Sequence, residues 1–141
     1  ATSGDGSPPV VALPSPQPIT DATDDVAIGK QHFRAENYGL AEMHFRRAAE
    51  ARRDDAQAWN GLAASYDKLR RWDLADRAYA QVEKITGPTP DFLNNRGYSY
   101  MLRGDLRRAS ADLSRAAAAD PGNERIQNNL RTLDERVRRG R

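Results

Sequence analysis

One small-residue position recurs at a fixed interval along this chain. Gly29, Ala63 and Gly97 are evenly spaced. Four further columns keep the same spacing and phase: Ala41, Ala75 and Ala109; Phe45, Tyr79 and Leu113; Ala48, Val82 and Ala116; and His32, Tyr66 and Tyr100. A unit of this length cannot bury its apolar face alone. The period therefore predicts a solenoid in which neighbouring units stack and bury a continuous core.

Each unit has the pattern of two helices joined by a turn. In the second copy the apolar and aromatic residues recur at i, i+3, i+4 and i+7, first as Trp59, Leu62, Ala63 and Tyr66, and then as Trp72, Ala75, Tyr79 and Val82. Gly87 and Pro88 end one helix, and Pro90 suits the first turn of the next. The phase predicts helices near residues 22–34, 38–51, 56–68, 72–85, 90–102, 106–118 and 123–138, and no strand.

The positions of these columns identify a family that they resemble. Small residues at unit positions 8 and 20, an aromatic residue at 11, a bulky apolar residue at 24 and Pro121 at 32 resemble the tetratricopeptide repeat (TPR) over residues 22–123. The resemblance implies an all-α fold, a right-handed α-solenoid. Its three repeats are expected at 22–55, 56–89 and 90–123, and a capping helix at 124–138, within a domain that spans 21–138.

The two ends of the chain differ from the repeats. Residues 1–20 contain five of the eight prolines, together with Gly and Ser, and are predicted to be a disordered linker. Two alternatives are a tether from an upstream lipid anchor and a segment that lies in a TPR groove. Ala1 stands where Met would begin a chain, which is expected of a processed form. Residues 139–141 form a short basic tail.

Asp24 and Asp25 stand where the later copies have apolar residues. A first repeat has no predecessor to pack on, so these carboxylates predict that the solenoid starts here. Thr20 or Asp21 is expected to cap its first helix. Arg96 stands where the pattern prefers Leu, and we expect its methylene groups on the core and its guanidinium directed outward.

The composition argues against several classes of function. The charges of the 22 basic and 20 acidic residues nearly cancel, so nucleic acid is not expected as a partner. The chain has no cysteine and no apolar run near the ~20 residues of a transmembrane segment. His32 and His44 have no pattern of carboxylates around them, and His32 falls in the aromatic column, where a structural role is expected. We expect no metal, no cofactor and no catalytic residues.

The resemblance implies that the first helices of the repeats line a concave groove. The predicted peptide-binding residues are Lys30, Phe33, Arg34, Asn60, Ala64, Asp67, Lys68, Asn94, Tyr98 and Met101. Amides can hold a peptide backbone, cations can meet a carboxylate, and rings can take an apolar anchor. A mixed solvated surface would look similar. One TPR subclass clamps the C-terminal carboxylate of chaperones, but Val26, Gly61 and Asn95 stand at its matching places, so that ligand is not expected.

The leading functional hypothesis is a non-enzymatic scaffold that binds a protein partner, as an extended peptide or a helix, in this groove. The Pro-rich arm and the Arg- and Ala-rich texture are similar to small TPR lipoproteins of bacterial pilus-assembly and secretion systems, particularly the tight-adherence pilus type. That similarity implies a periplasmic or outer-membrane-anchored protein. Two alternatives stay open, a cytoplasmic secretion chaperone with three TPRs and a self-assembling homo-oligomeric module.

Overall fold

The structure is a computed structural model that describes residues 22–140. It contains the helices α1 (Ala22–Arg34), α2 (Tyr38–Ala51), α3 (Ala56–Lys68), α4 (Trp72–Thr86), α5 (Pro90–Leu102), α6 (Leu106–Ala119) and α7 (Glu124–Arg139). Every bound lies within one residue of its prediction, and residues 22–140 contain no strand. The all-α class is confirmed. The linker at 1–20, the cap at Thr20 or Asp21, and Arg141 lie outside the described residues.

Three helices begin in the same phase because the same kind of residue caps each of them. Asp55, Thr89 and Asn123 are spaced by one repeat period and precede α3, α5 and α7. The Thr89 hydroxyl accepts the backbone N–H of Phe92 at 3.1 Å, and Asn123 Oδ1 accepts that of Arg125 at 3.0 Å. Each cap satisfies an N–H group that has no partner within its helix. α7, which was predicted to be a capping helix, therefore starts as the first helix of a fourth repeat would.

The helices pack in two layers. α1 packs on α2, α3 on α4, and α5 on α6, while α1, α3, α5 and α7 also contact one another in series. The first helices of the repeats thus form one row, as the solenoid interpretation requires. No helix in this described part of the chain is long and apolar enough to cross a membrane.

The Phe45 ring is wedged between two glycine positions of neighbouring repeats. A Cβ atom on Gly29 would lie 2.9 Å from Phe45 Cε1, and one on Gly61 would lie only 2.4 Å from the same atom. Gly97 likewise approaches its own repeat's second helix, because a Cβ there would lie 2.9 Å from Leu113 Cγ. The small-residue column therefore makes close helix contacts at both Gly29 and Gly97.

α7 carries charged residues at positions where the preceding first helix packs on its second helix. Arg131 and Asp134 of α7 lie one repeat period after Gly97 and Tyr100, at the positions where a second helix would pack. Both are exposed. Burying these charges under another helix would be unfavourable, so α7 does not offer the packing surface that the first helices of the three repeats offer.

Asp25 differs from the sequence expectation. Asp24 is exposed, but Asp25 is buried, with its Oδ1 2.9 Å from His44 Nδ1 and its Oδ2 3.8 Å from Arg47 Nε. Asp25 is therefore not a solvated end of the solenoid, because its partners come from the second helix of its own repeat. His32 is partly buried and stacks on His44, with ring centroids 5.4 Å apart.

Arg96 also differs from its prediction. Its guanidinium is not directed into solvent but binds Asp112, with Nε to Oδ2 at 2.8 Å and Nη2 to Oδ1 at 3.0 Å. It also lies 4.8 Å from the centroid of the Phe92 ring. A planar guanidinium can pair bidentately and stack at once, which lets it replace an apolar residue here.

Candidate functional site

The row of first helices carries two adjoining cavities that share Asn60 and Ala64. The N-terminal cavity has a volume of about 320 Å³, and the C-terminal cavity has about 390 Å³. We call the two together the groove. The N-terminal cavity is lined by Lys30, Phe33, Arg34, Phe45, Gln57, Asn60, Gly61 and Ala64. The C-terminal cavity is lined by Asn60, Ala64, Tyr79, Asn94, Asn95, Tyr98, Arg125, Asn128 and Asn129.

The N-terminal cavity combines aromatic walls with cations. Phe33 is partly buried and Phe45 is buried, whereas Lys30 and Arg34 are exposed. Lys30 Nζ donates to Gln57 Oε1 at 3.3 Å. Among residues 22–140, no carboxylate lines this cavity. It can therefore accept an apolar side chain next to a negative charge.

The C-terminal cavity is lined by paired asparagines. Asn95 Nδ2 donates to Asn60 Oδ1 at 3.2 Å, and Asn129 Nδ2 donates to Asn94 Oδ1 at 2.9 Å. The partners are 35 residues apart in both pairs. Each amide pair thus joins consecutive first helices, α3 to α5 and α5 to α7.

Within the described residues, each amide pair leaves one whole NH₂ group and one whole carbonyl group without a hydrogen bond. In the first pair the NH₂ group of Asn60 and the carbonyl of Asn95 are free, and in the second the NH₂ group of Asn94 and the carbonyl of Asn129 are free. Turning both amides of a pair around also leaves one donor and one acceptor. Within residues 22–140, the one fully buried side-chain polar atom without a hydrogen bond is Arg103 Nε, so the free amide groups reach solvent.

An aromatic cluster borders both cavities. Lys68 Nζ lies 5.9 Å from the ring centroids of both Tyr38 and Tyr98. Phe33 meets Tyr38 edge to face, with ring centroids 5.1 Å apart. Cation–π attraction holds Lys68 between the two tyrosines, where its exposed ammonium adds positive charge beside the groove.

Seven of the predicted groove residues line the two cavities, namely Lys30, Phe33, Arg34, Asn60, Ala64, Asn94 and Tyr98. Lys68 lies beside them, against Tyr98. Asn94 is only 5% exposed, because Asn129 of α7 covers it.

Met101 and Asp67 were predicted to face the groove and do not. Met101 is fully buried in a cluster with Leu113 and Leu133, beneath α7. Asp67 is 4% exposed and accepts hydrogen bonds from the hydroxyls of Tyr79 at 2.7 Å and Ser99 at 2.6 Å. Both side chains point to the next unit and not to the concave surface. Asp67 is thus an internal link between two repeats.

The surroundings of Asp67 and Tyr79 raise the pKa of both groups. Burial raises the pKa of Asp67, although the hydrogen bonds from Ser99 and Tyr79 oppose that effect. Burial also raises the pKa of Tyr79 well above its usual value, and the neighbouring Asp67 carboxylate adds to the rise. No group of three or more His, Asp or Glu residues that could hold a metal ion occurs in the described part of the chain.

Sequence reasoning missed several groove residues. Phe45, Tyr79, Arg125, Asn128 and Asn129 were not among the predicted set, and Gly61 and Asn95 were considered only as departures from a carboxylate clamp. One signal in the sequence could have found the amides: Asn60 with Asn95 and Asn94 with Asn129 share a spacing one residue longer than the repeat.

Comparison with known proteins gives the fold. No family model matches the sequence, and no curated protein is similar to it in sequence. Among solved structures, the second TPR domain of human RPAP3 in complex with the HSP70 peptide SGPTIEEVD is similar at 21% identity and a TM-score of 0.69, over 80% of this chain and 94% of that one.

Two bacterial structures are also similar. Pseudomonas aeruginosa pilF matches at 21% identity and a TM-score of 0.71, over 83% of this chain and 54% of that one. The Yersinia enterocolitica type III secretion chaperone SycD, in complex with a peptide of the translocator YopD, matches at 16% identity and a TM-score of 0.67, over 82% of this chain and 93% of that one. At these identities the similarity establishes the TPR fold of residues 22–140.

Proposed function

We propose that this TPR chain is a non-enzymatic protein-interaction scaffold that binds an extended segment of a partner protein in the groove. The observation that carries the proposal is that asparagine side chains of successive first helices bond to each other twice, as Asn60 with Asn95 and as Asn94 with Asn129. Each pair leaves one NH₂ group and one carbonyl oxygen unpaired, which is the complement of a peptide unit with its own C=O and N–H. Asn60 and Asn95 of the first pair are both partly exposed, whereas in the second pair Asn129 is the more exposed partner.

The amide pairs favour an extended partner over a helical one. In a helix the backbone N–H and C=O groups already bond to each other, so an amide pair would find no partner except at a helix end. An extended segment leaves these groups available. The two pairs join successive helices of the same row, and they can therefore hold successive parts of one chain.

Tyr98 adds an apolar contact beside the amides. It is partly buried and lines the C-terminal cavity together with Asn60 and Asn94. Truncating a residue at the centre of an interface typically costs about 2 kcal/mol or more when that residue is a hot spot. Replacing these three side chains together should therefore abolish capture of the partner.

The test compares the Asn60→Ala/Asn94→Ala/Tyr98→Ala variant with the wild-type chain as bait, with the captured proteins identified by mass spectrometry. A double variant at exposed residues outside the cavities, Asn37→Ala/Arg107→Ala, is the matched control. We expect the control to capture what the wild type captures and the triple variant to lose it. The triple variant should keep its helicity but melt at a lower temperature, because Asn94 is buried against Asn129 and Tyr98 packs on the Met101 cluster. Undiminished capture by the folded triple variant would place the working surface elsewhere.

For the cellular setting we propose assembly of a bacterial pilus, secretion or envelope complex, with the protein in the periplasm or anchored to the outer membrane. The Pro-rich N-terminal residues and the high content of Arg and Ala support this setting. The solved structures of similar fold include two bacterial proteins, one of them a secretion chaperone. Fractionation of cells that express the full gene, with labelling by a fatty acid, tests it. Recovery of all the protein in the cytoplasm would favour the secretion-chaperone alternative.

Self-assembly through the C-terminal end is less favoured by the structure. The exposed Arg131 and Asp134 of α7 stand where a further helix would have to pack. Light scattering over a range of protein concentrations should show no growth of the particle mass.

A further inference from the structure

The two halves of the groove differ in their free charge. Arg125 lines the C-terminal cavity and pairs with Asp91, with Nη2 and Oδ1 3.6 Å apart. Lys30 and Arg34 line the N-terminal cavity, and neither forms an ion pair with any residue of the described part of the chain. The cations that line the groove without an acidic partner therefore lie in the N-terminal half, and Lys68 adds a positive charge beside the groove between Tyr38 and Tyr98.

The N-terminal cavity also has the walls for an apolar side chain. Phe33 and Phe45 both line it, and the backbone of Gly61 lies so close to the Phe45 ring that a Cβ there would overlap it. Lys30 and Arg34 are one helical turn apart on α1, which places both cations next to these rings. An apolar anchor in this cavity would bring neighbouring acidic side chains within reach of both cations.

We infer that the partner segment is acidic as well as extended, with Asp or Glu side chains within a few residues of a large apolar residue that occupies the N-terminal cavity. The inference rests on the proposed function and adds the chemistry of the partner. The backbone lies on the amide pairs, the apolar side chain contacts Phe33 and Phe45, and the carboxylates meet Lys30 and Arg34.

The carboxylates come from side chains inside the segment and not from a chain end. A third cavity, of about 350 Å³, adjoins the N-terminal cavity through Lys30 and Gln57 and adds Val26, Ala27, Arg52 and Asp55. Asp55 Oδ1 already accepts the backbone N–H groups of Gln57 and Ala58, so this carboxylate is engaged as a cap. The groove thus continues past Lys30, and a bound segment can run through it without ending there.

The test uses two random libraries of peptide segments, one displayed between fixed flanks and one displayed with a free carboxyl terminus. The baits are the wild-type chain, the Lys30→Glu/Arg34→Glu variant and a control with the same change in charge, Lys84→Glu/Arg107→Glu. All four substituted residues are exposed, and circular dichroism checks that each bait is folded.

We expect the wild-type and control baits to enrich flanked segments in which Asp or Glu lies near Leu, Ile, Phe or Met. The charge-reversed bait should enrich Lys and Arg in their place. A synthetic, end-blocked copy of an enriched acidic segment should bind the charge-reversed variant at least about 10-fold more weakly, since charge-assisted hydrogen bonds are lost. Replacing its acidic residues with Lys should restore that binding.

The other outcomes separate the two proposals. Enrichment of segments without acidic residues, or enrichment unchanged by the charge reversal, overturns the acidic partner and leaves the extended-segment scaffold standing. Enrichment only in the library with free carboxyl termini overturns the internal segment in favour of a chain end. If the wild-type bait enriches no segment from either library, both the proposed function and this inference are wrong.

Discussion

The Gly61→Ala substitution should destabilise the fold although alanine is the better helix former. An added Cβ would lie 2.4, 2.5 and 2.6 Å from three atoms of the Phe45 ring. Carbon atoms in contact sit roughly 3.5 Å apart or more, so the ring would have to move by about 1 Å. It cannot move freely, because Phe45 is 3% exposed and the Gly29 position also approaches the same three ring atoms, where a Cβ would lie 2.9 Å from Cε1.

The magnitude follows from two opposing effects. Overpacking a well-packed core costs about 1–3 kcal/mol, and the wedged ring puts this site in the upper part of that range. Replacing glycine by alanine inside a helix recovers about 1 kcal/mol. We therefore expect a net loss of about 1–2 kcal/mol in the free energy of unfolding, measured by urea denaturation with circular dichroism.

A control and a rescue make the test specific to the ring. Gly39 of α2 has no atom within 4 Å of an added Cβ, so Gly39→Ala should keep or slightly raise the stability. Phe45→Leu in the Gly61→Ala background should show a favourable coupling of about 1 kcal/mol or more in a double-mutant cycle. A Gly61→Ala variant as stable as the wild type would refute the close contact.

Two further predictions concern the core. Gly97→Leu or Ala63→Leu should overpack a helix contact and cost about 1–3 kcal/mol, whereas Arg107→Leu at an exposed position should cost under about 0.5 kcal/mol; equal melting temperatures would contradict the repeat register. The pKa of Tyr79 is higher in the folded state than in the unfolded state, where it is about 10. Its neutral hydroxyl therefore contributes its whole stabilisation below the unfolded-state pKa, and this contribution is lost as the pH rises through the folded-state pKa. In urea titrations, the free energy of unfolding of Tyr79→Phe should therefore fall less than that of the wild type between pH 9 and 11. At pH 7 the variant should be about 1 kcal/mol less stable, because Asp67 loses a hydrogen bond. Parallel plots of stability against pH for the two proteins would contradict this.

Most of the fold could be predicted because its determinants are local and periodic. The column of Gly29, Ala63 and Gly97 identifies the helix faces that must approach closely. Side chains three and four residues apart share a helix face, so the same pattern also indicates the helix bounds, and all seven helices lie within one residue of their prediction. The caps Asp55, Thr89 and Asn123 repeat at the same period and begin their helices in phase.

The tertiary structure decided which side chains face the groove and which link the repeats. Met101 and Asp67 have the spacing of groove residues, but the next unit covers them, and whether a unit covers a side chain depends on the angle at which the helices stack. Asp25 and Arg96 break the apolar pattern, and each finds its partner on a second helix that no local rule specifies. The Asn60–Asn95 and Asn94–Asn129 pairs depend on the stacking of consecutive units, because residues so far apart in the chain come within hydrogen-bond distance only when their helices lie side by side.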